Sequence, residues 1–494
     1  MAARLYFPLF FLMLAFPLRA ETTAEVERFA LIIGANKSID EELKPLKYAD
    51  DDAARYFDLM QTLGARTYLL ARLDENTARL HPSAQDEAQI PGGDELAGVV
   101  ALLKGNVRMA RQRGARTEFY LFYAGHGNMK EGRGYITTEN SRIYGPDVLS
   151  QIVDPISADQ THLIIDACYS FFLAYGRGAG GSHRKVEKLD GLQSLANRKN
   201  IGLLLSTSSA AESHEWESFQ SGVFSHEIRS ALYGAADADH DGLISYREIA
   251  AFVANANQAI PNEKYRPRLH ARPPQNQASL IDINPAMVRH IEVAGSNNGH
   301  YLLENDSGVR LLDFHNASGQ RLRLARTGES LLFLRNLTNN TEYAINPSEE
   351  PVQIASLTGT TPKVQDRGAA HHSFKKLFQE PFDQSVVESY AFETLAPESD
   401  GISLALVAGA GALGAGVLLT AAAVVSGSIG AATYATAAAS EDQTSIMMRN
   451  NVIMASYGVG AVLVVGGGLV GAMGVGALLW PTGDDDSSAG ASFE

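Results

Sequence analysis

Short apolar runs, each too brief for a helix and interleaved with stretches of helical periodicity, constrain this chain more than any other feature. They are Arg28-Phe-Ala-Leu-Ile-Ile-Gly34, Thr67-Tyr-Leu-Leu-Ala71, Glu118-Phe-Tyr-Leu-Phe-Tyr123, His162-Leu-Ile-Ile-Asp166 and Ile201-Gly-Leu-Leu-Leu-Ser206. Helical patterns lie between them, around Tyr48 to Leu63 and from Asp94 to Arg113. Continuous apolar strands alternating with helices imply a sheet buried on both faces, which predicts an α/β domain over 28–285 with a mainly parallel sheet and helices on both sides. In such sheets chemistry collects in the loops beyond the C-terminal strand ends.

With 494 residues the chain exceeds one ordinary core, so further units are expected. It is acidic, 56 Asp+Glu against 41 Lys+Arg, and has no basic stripe, which argues against nucleic acid as a partner. Arg4, the apolar run Leu5 to Leu18 and the small Ala20 form the pattern of a signal peptide over 1–20, with cleavage after Ala20. An exported chain with one cysteine, Cys168, has no internal disulfide, and a lone thiol in an oxidising compartment must be buried or chemically needed.

Cys168 and His126 sit where chemistry is expected. Tyr123-Ala-Gly-His126-Gly127 follows the third run, and Asp166-Ala-Cys168-Tyr-Ser170 follows the fourth. Adjacent parallel strands would bring both loop tips together, so the imidazole could take the thiol proton. The flanking glycines permit a tight turn and close substrate approach. The N–H groups of Gly127 and Cys168 could form an oxyanion hole.

In these motifs the chain resembles the caspase-like cysteine peptidases, and among them the metacaspase and bacterial branch. The resemblance covers about residues 28 to 260. It rests on Phe29-Ala-Leu-Ile-Ile-Gly34, Tyr48-Ala-Asp-Asp-Asp-Ala53, Phe122-Tyr-Ala-Gly-His-Gly127, Leu163-Ile-Ile-Asp-Ala-Cys-Tyr-Ser170, and Ser206-Thr-Ser-Ser209 before Gly222-Val-Phe224. It implies a caspase-like fold, His126 as base and Cys168 as nucleophile, with peptide bonds cut through a thioester. Animal caspases carry Gln-Ala-Cys where this chain has Asp-Ala-Cys, and metacaspases usually have His where this chain has Tyr169. Resemblance to metacaspases also places Asp166 at the floor of the substrate pocket, with Asp52 as a second acid. Two carboxylates there would select Arg or Lys and repel acidic side chains, so a protein or peptide substrate with a basic cleavage site is expected. Asp52 could equally be a solvated acid at a helix start, beside Asp50 and Asp51. No organic cofactor is implied. The basic, Gly-rich segment 176–199 is either an ordinary exposed loop or a site of self-cleavage.

Asp237-Ala-Asp239-His-Asp241-Gly242-Leu-Ile-Ser245-Tyr-Arg-Glu248 matches the EF-hand loop position by position. Side-chain oxygens of Asp237, Asp239, Asp241, Ser245 and Glu248, with the Leu243 carbonyl, would hold calcium weakly. No second such loop is visible, and an acidic turn capping the following helix fits the same residues. His162, His183, His214, His371 and His372 read as surface or loop residues.

Beyond the α/β domain, 290–355 reads as a small antiparallel β module of short runs between Asn, Ser and Gly turns. Mixed, polar residues 356–400 read as a linker. Two uncharged stretches, 402–425 and 452–480, are long enough to cross a bilayer as helices, and Gly467-x-x-x-Gly471 permits close packing in lipid. The expectation is an exported, membrane-anchored enzyme on a periplasmic or other extracytoplasmic face. The competing expectations are a caspase-like scaffold without turnover, or a pore-forming tail. An inert scaffold would commonly have lost one of the His–Cys pair, and nothing polar lines the apolar stretches.

Overall fold

The computed structural model describes residues 25–131, 133–174, 195–206, 215–216, 220–260, 266–326, 330–362 and 376–392. The expected signal peptide, both apolar stretches of the tail and most of the segment 176–199 lie outside the described residues. The chain divides into two units, Met1–Thr394 and Leu395–Glu494, and every described residue belongs to the first. Among the described residues no helix is long and apolar enough to cross a membrane.

Each of the five apolar runs is a strand: β1 Val26–Ala35, β2 Ala65–Ala71, β3 Arg116–Gly125, β4 Gln160–Asp166 and β5 Ile201–Ser206. They pair in parallel, and β6, Leu269–Arg272, closes one edge antiparallel to β5. The order is β6-β5-β4-β3-β1-β2. Successive strand residues point to opposite faces. Ala30, Ile32, Tyr120, Phe122, Ile164 and Leu204 therefore enter one core, and Phe29, Leu31, Ile33, Phe119, Leu121 and Leu163 another. Both faces being apolar is why the strands read as unbroken runs.

Helix α1 spans Ala49–Thr62, α2 Gly93–Gln112, α3 Val223–Ser230 and α4 Tyr246–Ala256. On α2, Leu96, Val99, Val100, Leu103 and Val107 recur at helical spacing and cover the second face. The other three helices contribute to the first core. That core continues into the β-rich segment, through Ile291, Leu303, Phe314 and Leu334.

This segment has two sheets. Arg310–Asn316, Gly299–Asn305, Leu332–Asn336 and Thr341–Ile345 form a four-stranded antiparallel sheet in that spatial order. Leu322–Ala325, His290–Val293 and Val352–Gln353 form the other, its last pair parallel. Residues 376–392 differ from the expected linker. Gln384–Ser389 is a helix, and Leu377, Phe378, Phe382 and Val387 are buried. A few well-spaced apolar side chains suffice to dock a mostly polar segment. His162 also differs from the surface reading: it is buried in β4, stacked on Tyr120 with ring centroids 4.8 Å apart, and its Nδ1 lies 2.7 Å from the Tyr246 hydroxyl.

Candidate active site

The register of β3 with β4 ends at Ala124 opposite Asp166. Two residues further along each strand stand His126 and Cys168, at the C-terminal edge of the sheet. The turns touch directly. A Cβ on Gly127 would lie 2.1 Å from the Cys168 carbonyl oxygen, so only glycine permits this approach. A Cβ on Gly125 would meet the Tyr123 hydroxyl at 2.5 Å. That hydroxyl sits 2.7 Å from the carbonyl oxygens of both His126 and Thr137, and Thr137 N donates to His126 O at 3.0 Å. The Gly-His-Gly turn is thus bolted to the strand that precedes it. Burial pushes the Tyr123 phenol up, and among smaller contributions the neighbouring Cys168 pushes the same way.

His126 is partly buried, and its Nε2 lies 2.9 Å from the Lys44 carbonyl oxygen. A carbonyl can only accept, so Nε2 carries the proton and Nδ1 keeps a lone pair. Burial lowers the imidazole pKa from its usual value, opposed by the Lys44 carbonyl and the charge of Asp40. A neutral ring at neutral pH is the form that can accept a proton. The loop supplying Lys44 is itself held: Ile39 N donates to Thr138 O, and the buried Asp40 takes bonds from Tyr135 Oη at 2.7 Å and Arg142 Nε at 2.6 Å.

Cys168 is partly buried. Tyr169 after it has φ +57°, a left-handed conformation that costs an L-residue roughly 1–2 kcal/mol. The turn is pinned by Ser170, whose hydroxyl donates to the Ser206 carbonyl at the end of β5.

Asp166 and Asp52 come together around Gly222. A Cβ there would lie 2.8 Å from Asp166 Oδ2 and 3.2 Å from Asp52 Oδ2. Their surroundings differ. Asp52, 2% exposed, accepts from Gly222 N at 2.8 Å, from Arg229 Nη1 at 2.7 Å and from the Ser221 hydroxyl. It is neither a solvated acid nor a free one, because the fully buried Arg229 neutralises it. Among the described residues, Asp166 Oδ2 takes the Ser225 hydroxyl at 2.7 Å and Ser225 N at 3.1 Å and no counter-charge at ion-pair distance. Burial pushes its carboxyl up to about 7, the charge of Asp52 adding to the rise and the Ser225 bonds opposing it. Glu215 borders the same region, accepting from Tyr48 N at 2.9 Å and Lys47 N at 3.0 Å just before α1. Sequence reasoning missed Arg229, Ser225, Ser221, Glu215 and the Lys44 carbonyl. A backbone carbonyl has no sequence signal, and the others join the site across about 60 to 180 residues of chain.

The acidic loop follows α3 in the chain and runs into α4. Asp237, Asp239 and Glu248 each bring a carboxylate oxygen within 4.8 Å of the others. Asp241, Leu243 and Ser245 line the same hollow of about 500 Å³ beside Asp239 and Glu248. Gly242, at φ +79°, makes the turn. Glu248 also closes a capping box with Ser245 at the start of α4, so each of its oxygens already accepts one N–H. Burial pushes its carboxyl up to about 7, with Asp239 adding to the rise. A divalent cation would relieve both effects, and the donor set fits calcium. Leu243–Ser245 pairs antiparallel with Ser279–Asp282, Ile244 facing Ile281, where a second hand would ordinarily lie.

No curated protein matches the chain. A solved structure of pro-sf-caspase-1 is similar at 12% identity with a TM-score of 0.30, covering 51% of this chain and 89% of that one, a likeness too low to carry an argument. The family model for the caspase domain, Peptidase_C14, matches residues 27–279. That match spans just over half of the 494 residues and contains both turns, and this chain belongs to the caspase-domain family of cysteine peptidases.

Proposed function

We propose that this protein is a cysteine endopeptidase that hydrolyses peptide bonds after arginine or lysine. The register of β3 with β4 carries the reading, since it aligns the His126 and Cys168 turns, and the Lys44 carbonyl orients the imidazole. Nδ1 of His126 takes the thiol proton, and the sulfur attacks the scissile carbonyl carbon. The N–H groups of Gly127 and Cys168 receive the oxyanion. As the C–N bond breaks, His126 returns the proton to the leaving amine, and a thioester remains. Water then attacks that thioester, giving one proton to His126. The C–S bond breaks, the new carboxylic acid leaves, and Cys168 recovers its proton.

In this reading Asp166 receives the basic side chain, while Asp52, held by Arg229, shapes the Gly222 wall behind it. An acidic side chain would be repelled by the ionised Asp166, the charge of Asp52 being met by Arg229. Calcium in the loop 237–248 would stiffen the end of α3 and the start of α4. The leader and the apolar tail stretches support an enzyme exported and anchored to a membrane, working on the extracytoplasmic side.

The full chain in detergent, assayed with fluorogenic peptides ending in Arg, Lys or Asp, tests the proposal. Cleavage after Arg or Lys that vanishes in Cys168→Ala supports it. Cleavage only after Asp keeps the nucleophile and overturns the pocket. A folded chain with a titratable thiol and no cleavage favours an inert scaffold.

A further inference from the structure

Helix α3 presents two neighbouring stripes, each a pair of residues one turn apart. Ser225 and Arg229 turn toward the pocket, bonding Asp166 and Asp52. His226 and Ser230 turn toward the β-rich segment and meet Asp313 on the strand Arg310–Asn316. Asp313 is 0% exposed. Its carboxylate accepts from His226 Nε2 at 2.8 Å, His300 Nε2 at 3.0 Å, Arg310 Nε at 2.6 Å and Arg310 Nη2. Its backbone N donates to Ser230 Oγ at 3.0 Å, and Ser230 Oγ donates to His226 O at 2.8 Å. Burial alone would neutralise this acid, yet the Arg310 charge and these bonds hold it well below the usual carboxylate range.

Such a network is a poor way to glue two elements, since an apolar contact of the same size would stabilise as well or better. What it does supply is register. His300 and Arg310 fix the carboxylate from the β-rich side. Helix α3 meets it through His226 Nε2 while Ser230 Oγ takes the Asp313 N–H, two contacts that one rotation of α3 satisfies together. Each residue turns a helix by about 100°, so a slip by one position would swing Ser225 and Arg229 out of the pocket.

We infer that Asp313, beyond the matched caspase domain, is a positioning residue for the acidic pocket: it sets the rotation of α3, so that Ser225 and Arg229 hold Asp166 and Asp52 where a basic side chain is received. The inference rests on the pocket reading given above. It makes the β-rich segment part of the specificity apparatus rather than an appendage.

The test uses the full chain and two readouts. One is cleavage of a peptide ending in Arg. The other is the rate at which iodoacetamide alkylates Cys168, with and without that peptide as a protectant. Asp313→Asn is expected to raise KM about tenfold and weaken protection to match, leaving kcat and the unprotected alkylation rate within about twofold. Ser230→Ala, a milder lesion that keeps the carboxylate, should move KM the same way by a smaller factor. Asp313→Glu should restore part of the loss. Unchanged KM and protection in folded Asp313→Asn, or in Ser230→Ala where the first does not fold, overturn the inference while leaving the pocket standing. Equal losses of kcat and unprotected alkylation overturn it too, as a general disruption. A wild-type chain showing neither Arg cleavage nor Arg-dependent protection sinks the pocket reading, and this inference with it.

Discussion

Replacing Gly127 by alanine tests how closely the two turns must approach. The added methyl would sit 2.1 Å from the Cys168 carbonyl oxygen, and real Cβ contacts essentially never fall below 3.0 Å. The turns must therefore separate by about 0.9 Å. The atom in the way is backbone, so no side chain can rotate aside. A misplacement of about 1 Å between reacting groups can cost on the order of 10²-fold in rate. Gly127→Ala should therefore lower kcat/KM about a hundredfold, chiefly in kcat. Overpacking of this kind costs about 1–3 kcal/mol, which leaves the domain folded with a modest fall in Tm. Steady-state kinetics, a thermal melt and thiol titration form the assay. A variant that keeps more than half of wild-type kcat/KM would refute the argument that contact between these turns assembles the site.

Three further outcomes follow from the same geometry. Asp166 must be ionised to attract a basic side chain, and its pKa is raised to about 7, so kcat/KM for Arg peptides should climb as pH rises through about 7; Asp166→Asn should flatten that limb, leaving only the His126 limb below 6.5. Arg229→Gln strips the buried Asp52 of its counter-charge and should cost about 3–5 kcal/mol in urea unfolding, whereas a loss under 1 kcal/mol would show that Asp52 needs no partner. Calcium at ten to a hundred times Kd should stabilise the chain by about 1.4 to 2.7 kcal/mol, read as a rise in Tm that Glu248→Gln abolishes.

What could be read from the sequence was whatever is locally coded. β1, β3 and β4 are apolar on both faces, so their runs stand out, and α2 carries its buried stripe at plain helical spacing. Edge strand β6 did not stand out. Leu269-His-Ala-Arg272 is partly exposed along its length and carries no unbroken apolar signal. The region 376–392 was hidden for a related reason, because its order comes from docking onto a core made elsewhere. Within the site, His126 and Cys168 follow strand ends and were legible. The placing of Asp52 was not, because it depends on Ser221 and Arg229, 169 and 177 residues away. Its own neighbours, Asp50 and Asp51, allowed a solvated helix start as readily as the second pocket acid that the resemblance implied.

The pairing of Leu243–Ser245 with Ser279–Asp282 bears on how this chain would respond to an ion. Where two loops share such a ribbon, filling one prepares the other, and the response sharpens into a threshold. Here the neighbouring strand is a covalent part of the same domain, and the described residues around it offer no second acidic loop. Loading would trace a simple hyperbola with a Hill slope of one, spread over about two decades of concentration. Were calcium the ion held there, as proposed, the loop would follow the surrounding level as a rheostat does, with no trip-point at which it switches on.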